Sequence, residues 1–84
     1  MKNYNLFKNS LYEISGETYE SLFYSEPCHS EKNLLKIKLP IIVYVLEEIE
    51  LLKNKHYYKF LLKDKIIYAY TGGSWYNLNC EKIK

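Results

Sequence analysis

The chain has 84 residues, of which 48% are hydrophobic and 26% charged, with only three glycines and two prolines. This length predicts one small domain over residues 1–84, with a single modest core and no room for a second domain or a deep multi-residue active site. The formal net charge of +2 is compatible with a nucleic acid, with an acidic protein surface or with no charged partner at all.

Neither a membrane span nor an export signal is expected. The longest uncharged stretch, Ile66 to Cys80, contains two glycines and several polar residues, whereas a transmembrane helix needs about 20 mainly apolar residues. The first five residues, Met1 to Asn5, do not lead into the apolar run of a signal peptide. We therefore interpret Cys28 and Cys80 as reduced thiols of a cytoplasmic protein and not as a disulfide framework.

The composition is biased in two ways. All twelve cationic residues are lysine, and ten residues are tyrosine. The absence of arginine is typical of an AT-rich coding sequence and carries little functional weight. The tyrosines carry more, because tyrosine joins apolar area to a polar tip and is enriched at protein interfaces.

The first part of the chain permits two structures. Aromatic and aliphatic residues at helical spacing, followed by a glycine in the position of a helix stop, predict a short helix: Tyr4, Phe7, Leu11, Ile14 and Gly16. The same stretch permits a hairpin that pairs residues 11–15 with residues 18–23 across a Gly16-Glu17 turn. The sequence leaves both open.

Three short β-branched or aromatic runs predict an antiparallel meander. A loop from Ser25 to Asn33 and an alternating strand from Leu34 to Leu39 precede it. Helical periodicity is the alternative for residues 42–56, where strand is favoured over helix. The runs of the meander and the turns between them are Ile41 to Leu46, Lys53-Asn54-Lys55, His56 to Leu62, Lys63-Asp64, Lys65 to Tyr70 and Thr71-Gly72-Gly73-Ser74.

About 40 residues of the second half resemble a known family. The segments concerned are Val43-Tyr44-Val45-Leu46-Glu47-Glu48-Ile49, Tyr57-Tyr58-Lys59-Phe60, Lys65-Ile66-Ile67-Tyr68-Ala69-Tyr70 and Ser74-Trp75-Tyr76-Asn77-Leu78. They resemble the meander and closing turn of bacterial SH3-like domains, although Ile67-Tyr68 stands where that family usually has Gly before Trp. The resemblance implies a small barrel that binds peptides, cell-wall fragments or proteins and catalyses no reaction. The expected fold is therefore mainly β, a small antiparallel SH3-like barrel or meander with at most one short helix.

No group of residues predicts catalysis, a metal or a cofactor. The four possible zinc ligands, Cys28, His29, His56 and Cys80, lack the close pairs of a structural zinc site. A nucleophilic set of a cysteine with His56 and Asp64 is no more than any chain of this size contains by chance, and Asp64 fits a turn. The remaining candidates are better explained as a solvated face and a turn: Glu47, Glu48 and Glu50, and Thr71-Gly72-Gly73-Ser74.

A two-residue turn at Lys63-Asp64 defines two faces of the hairpin. Leu62 then faces Lys65, Phe60 faces Ile67 and Tyr58 faces Ala69, which makes their side the core. The opposite side is too apolar for ordinary exposure and is predicted to be a contact surface: Tyr57, Lys59, Leu61, Ile66, Tyr68 and Tyr70. The alternative is that the N-terminal segment packs over it as a second core layer, through Tyr4, Phe7, Leu11 and Ile14.

These observations favour a non-enzymatic, cytoplasmic protein-binding domain. A phage-type or mobile-element inhibitor or adaptor that docks on a larger protein or ribonucleoprotein complex is the specific expectation, with no membrane and no small-molecule substrate. The predicted partner-binding residues are Tyr57, Lys59, Tyr68, Tyr70, Trp75 and Tyr76. The alternative is direct binding of single-stranded nucleic acid, in which the aromatic residues stack on bases and phosphates are neutralised by Lys36, Lys38, Lys59, Lys63 and Lys65.

Overall fold

The computed structural model describes residues 6–17, 22–28, 30–52, 55–72, 75 and 77–83. A 3₁₀ helix spans Glu31–Asn33. The mainly β prediction is confirmed, and no helix in the described ranges is long and apolar enough to cross a membrane. The described residues contain seven strands: β1 (Leu11–Ser15), β2 (Phe23–Tyr24), β3 (Leu34–Leu35), β4 (Ile41–Leu52), β5 (Lys55–Leu62), β6 (Lys65–Tyr70) and β7 (Asn79–Ile83).

The strands form one antiparallel sheet in the order β3-β2-β6-β5-β4-β1-β7. Its centre is the predicted meander of β4, β5 and β6. The bounds of β6 agree with the sequence prediction, β5 begins one residue earlier, and β4 continues to Leu52 instead of ending at Leu46. Strand, not helix, is therefore the structure of the stretch from residue 42 that the periodicity left open.

The β5–β6 hairpin has the predicted register. Phe60 pairs with Ile67 and Leu62 with Lys65, so Lys63 and Asp64 alone form the turn. Lys63 has a φ of 58°, a left-handed conformation that is unusual for a residue with a side chain. The preceding turn was predicted at Lys53-Asn54-Lys55; Lys55 begins β5, and the other two residues lie outside the described ones.

A β-bulge interrupts β4 at Leu46. The pairing with β5 passes from Val45–Phe60 directly to Glu47–Lys59, so Leu46 is an extra residue. The extra residue shifts the alternation of faces by one.

The helix predicted for the first part of the chain is wrong over the described residues, whereas the alternative hairpin is right in its first strand, Leu11–Ser15, and wrong in its pairing. Residues 11–15 are strand β1, which excludes the helix there. β1 pairs with β4 along one edge and with β7 along the other, so no edge is left for a hairpin with residues 18–23. Gly16 follows β1 with a φ of 121°, where a side chain would be strained. Tyr4 lies outside the described residues.

The segment after the loop is strand for only part of its predicted length. The loop itself is present, closed by the Ser25 N–H donating to the Asn33 carbonyl at 2.8 Å. Only Leu34 and Leu35 then pair, with β2. Ile37 and Leu39 still pack against the core while Lys36 and Lys38 are exposed, so the predicted alternation is present although the hydrogen-bonded strand ends earlier.

The core lies against one face of the sheet. Trp75 packs beneath β5, with its ring centroid 6.0 Å from that of Tyr58 and 6.4 Å from that of Phe60. Residues before β1 close the core at one side, where the Leu6 N–H donates to the Tyr58 hydroxyl at 3.1 Å. The buried members are Tyr12, Ile14, Leu22, Phe23, Val43, Val45, Tyr58, Phe60, Ile67, Ala69, Trp75 and Leu78.

We predict that Lys63→Gly stabilises the protein. Glycine adopts positive φ without the steric conflict of a β-carbon, which costs other residues about 1 kcal/mol. The free energy of unfolding, measured with urea, should rise by up to about this amount, and Lys65→Gly in the following strand should lower it instead. A fall in stability on Lys63→Gly would contradict the turn geometry.

Candidate contact surface

The outer face is the side of the sheet opposite the core. The register places all six residues predicted for it there: Tyr57, Lys59, Leu61, Ile66, Tyr68 and Tyr70. Their burial differs, since Tyr57 is only 1% exposed and the others are partly or largely accessible. The outer face is therefore two regions with different physical roles.

The first region is the tyrosine cluster, formed by Tyr24, Tyr57 and Tyr70. The Tyr57 ring meets Tyr24 edge to face at 6.5 Å between centroids and lies 5.3 Å from Tyr70. Burial raises the pKa of Tyr57, and the neighbouring Tyr24, Cys28 and Tyr70 side chains raise it further. Tyr57 is packed between these rings and exposes almost no surface, so its role as a partner-binding residue stays a prediction that this burial does not favour.

Trp75, also predicted to bind a partner, lies in the core and not on the outer face. Its side chain is 1% exposed and belongs to the core. Its backbone N–H donates to the Gly72 carbonyl at 3.2 Å, and its backbone carbonyl accepts from the Leu78 N–H at 3.1 Å. These backbone bonds connect Trp75 to Gly72 and to Leu78, and the ring packs against Tyr58 and Phe60. Tyr76, predicted beside it, lies outside the described residues.

Lys59 and Tyr68 remain partly accessible on adjacent strands. They pair across β5 and β6, and the Lys59 Nζ lies 3.8 Å from Glu47 Oε1 on β4. Both partners of this ion pair are partly exposed, so water screens it and its contribution to stability is below about 1 kcal/mol. The pair separates the tyrosine cluster from the second region.

The second region is an apolar row across five strands. In the register, Leu11 of β1 lies between Ile83 and Tyr44, and Leu61 lies between Tyr44 and Ile66. Leu11 is 43% exposed and Ile66 42%, and Ile42 beside the row is 54% exposed. The row is continuous, and no segment within the described part of the chain buries these three side chains. We call Ile83, Leu11, Tyr44, Leu61 and Ile66 the apolar row.

A groove of about 900 Å³ runs from this row over the end of the sheet. Leu11, Ile42, Tyr44 and Leu61 line its apolar part. Three lysines and two carboxylates contribute to its lining. The charged lining residues are Glu13, Lys38, Lys63, Asp64 and Lys65.

The described part of the N-terminal segment, from residue 6 onward, does not cover the outer face. Phe7 is 64% exposed, and its N–H donates to the hydroxyl of the core residue Tyr12 at 2.8 Å. Leu11 is exposed in the apolar row and Ile14 is buried in the core. The alternative that this segment forms a second core layer over β5 and β6 is therefore wrong for its described residues.

The residues considered for metal binding and catalysis are dispersed. Among the described residues no three His, Cys, Asp or Glu side chains are grouped as ligands, and His29 lies outside them. His56 Nε2 lies 3.9 Å from Glu50 Oε1, and Asp64 is exposed in the hairpin turn. Burial raises the pKa of the Cys80 thiol to about 11, which disfavours the reactive thiolate.

Comparison with known proteins gives no relative: the chain matches no family model, no curated protein and no solved structure. The resemblance to SH3-like domains stays a prediction.

We predict that Tyr57→Ala lowers the free energy of unfolding by about 3 kcal/mol, because it removes a buried aromatic ring. Tyr57→Phe keeps the ring and should cost much less. Ile66→Ala, on the exposed part of the same face, should cost below about 1 kcal/mol. Equal effects of Tyr57→Ala and Ile66→Ala in urea unfolding would show that the tyrosine cluster is not a packed layer.

We also predict that the two thiols differ in reactivity. Cys28 is exposed, whereas Cys80 with its pKa of about 11 holds little thiolate near neutral pH. Iodoacetamide at about pH 8 should alkylate Cys28 first in the folded protein, as read by mass spectrometry. The Cys28→Ser variant should react slowly until denaturant is added; rapid alkylation of that folded variant would contradict the placement of Cys80.

Proposed function

We propose that this protein is a non-enzymatic protein-binding domain whose contact surface is the apolar row with Ile42. The observation that carries the proposal is the row's continuity across five strands with Leu11, Ile42 and Ile66 at least 42% exposed. Adjacent exposed apolar side chains with a polar rim are typical of interaction sites. Burying them against a partner is favourable at roughly 25 cal/mol per Å² of apolar surface.

The remainder of the function is an extension of this proposal. A domain of 84 residues that acts by binding acts by occupying a surface of something larger, as an inhibitor or adaptor does. We propose a cytoplasmic protein that docks on a larger protein or ribonucleoprotein complex. The AT-rich coding bias supports a phage or mobile-element source, and the resemblance to SH3-like domains supports binding without reaction.

Ile42→Asp tests the surface. Its side chain is exposed, so the change should leave the thermal midpoint within a few degrees, while a buried carboxylate in the interface should weaken partner binding at least tenfold. The immobilised protein, its Ile42→Asp variant and a Phe7→Asp variant are compared by affinity capture and mass spectrometry, and the captured protein is then purified for titration.

Phe7→Asp is the matched control, because Phe7 is an exposed apolar residue that lies outside the groove and the row. The proposal requires a direct partner that binds the wild-type protein and Phe7→Asp equally and Ile42→Asp weakly. A purified partner that binds all three proteins with the same affinity would refute the proposed surface.

Direct nucleic-acid binding is expected to be weak. The net charge is +2, and Tyr57 and Trp75, two of the residues required for base stacking, are buried. We predict a dissociation constant above about 1 μM for a 20-nucleotide single-stranded RNA at roughly 150 mM salt, measured by fluorescence anisotropy. Tighter binding that falls steeply with salt, and is lost on Lys63→Glu with Lys65→Glu, would replace the protein-binding proposal by the nucleic-acid one.

A further inference from the structure

We propose that β7 is a docking edge, at which an extended segment of another protein pairs antiparallel to the strand. The segment carries a basic residue opposite Glu81 and an acidic residue opposite Lys82. This site goes beyond the proposed function, because it lies at an edge of the sheet and not on the apolar row. It follows from the direction of the backbone groups of β7, from the length of the strand and from its charges.

The hydrogen bonds of β1 determine which of its residues face β7. The Val45 N–H of β4 donates to the Ser10 carbonyl at 2.9 Å, directly before β1 begins. Backbone groups of an antiparallel strand alternate between its two neighbouring strands. The even-numbered residues of β1 therefore bond to β4, and the odd-numbered residues, which include Glu13, bond to β7.

The same alternation leaves backbone groups of β7 directed to the open side. Glu81 pairs with Glu13, so its N–H and C=O groups are directed to β1. Those of Cys80 and Lys82 are directed away from β1, and β7 is the last strand of the sheet. Within the described part of the chain, neither residue has a backbone hydrogen bond on that side. A helix pairs its own backbone groups, so these groups select an extended segment, as in recognition by strand addition.

The two edges of the sheet differ in how well they can accept a strand. β3 forms the other edge with only two residues, Leu34 and Leu35, and a very short edge strand is a common protection against pairing. β7 has five residues, contains no proline and pairs with β1 without a bulge. Among the described strands, β7 is therefore the edge that offers a regular template.

The charges of β7 disfavour a second copy as the added strand. Two copies that pair antiparallel around the middle of the strand place Glu81 opposite Glu81 of the second copy, and like charges directly opposite each other are unfavourable. Moving the centre of pairing by one residue leaves only three residues of the strand paired. In one direction this shift also places Lys82 opposite Lys82 of the second copy.

The same charges indicate what the partner segment carries. Glu81 and Lys82 are exposed and form no ion pair with a described residue. Glu81 already lies opposite Glu13 on the outer face, so a basic residue on its other side offsets this repulsion. An acidic residue complements Lys82 in the same way. Apolar residues suit the two remaining neighbours, Ile83 and Cys80.

The test is an NMR titration of the isotope-labelled protein with the capped peptide Ser-Thr-Val-Glu-Lys-Val-Thr-Ser. Its Glu is placed opposite Lys82 and its Lys opposite Glu81. The amide signals of Cys80 and Lys82 should shift, and their hydrogen exchange should slow. A peptide with Glu and Lys exchanged should bind about fivefold more weakly. The double variant Glu81→Lys with Lys82→Glu should reverse this order.

N-methylation of the peptide tests the backbone bonds separately from the charges. A methyl group on the nitrogen of its Glu removes a donor directed to β7 and should weaken binding at least tenfold. The same group on the nitrogen of its Lys, whose N–H points away from β7, is the matched control and should change the affinity less than about twofold. Equal binding of the two methylated peptides would overturn the strand addition.

The remaining outcomes separate this proposal from the proposed function. Ile42→Asp alters the apolar row and should bind the peptide like the wild type; loss of binding would place the peptide on the row and overturn the edge. Unchanged Cys80 and Lys82 signals at millimolar peptide would overturn the edge and leave the row in place. The same shifts on concentrating the protein without peptide would show a second copy on β7 and overturn the inference of a separate partner.

Discussion

The two-residue turn at Lys63-Asp64 is the constraint on which the arrangement of both faces depends. Because it contains two residues, Phe60 lies opposite Ile67 and Leu61 opposite Ile66. One additional residue would move every side chain of one strand to the other face. Phe60 would then leave the core, and Leu61 would leave the apolar row. The buried layer and the open surface are thus set by the same local geometry.

The bulge at Leu46 also determines which side chains lie on each face. It lies in β4, which pairs with the other edge of β5. Before it, Tyr44 lies on the outer face opposite Leu61; after it, Glu47 lies on the outer face opposite Lys59. In a regular strand, residues three apart would point to opposite faces. The extra residue therefore lets one strand supply both the apolar row and the ion pair that borders it.

The sequence predicts the meander well because its signals are local. β-branched runs and a two-residue turn lie within neighbouring positions, and they determine the register of β5 and β6. β7 gives no such signal. Its two apolar residues, Cys80 and Ile83, lie on opposite faces, the first against the core and the second on the outer face, so the strand has no row of apolar residues at every second position. The helical spacing before Gly16 was misleading for a similar reason, since β1 obtains both of its partners from distant parts of the chain.

The candidate site was predictable only where it belongs to the hairpin. Leu61, Ile66, Lys59 and Tyr68 were placed on the correct face, but Tyr57 was assigned to the surface because the sequence does not show that Tyr24 packs on it. The exposed residues contributed by β1 and β4 were missed as site residues, since their position beside Leu61 follows from strand order. That order is a long-range property.

The division of the outer face lets stability and binding vary separately. At one end, Tyr57 is nearly inaccessible and holds Tyr24 of β2 against the central strands, so its burial contributes to folding. At the other end, Ile42 and Leu11 expose about half of their surface, and their burial can contribute only when another molecule covers them. If the apolar row is the contact surface proposed above, substitutions in it would change the contact with a partner without removing a layer of the fold, which is the physical condition for a small domain to alter its specificity while it remains folded.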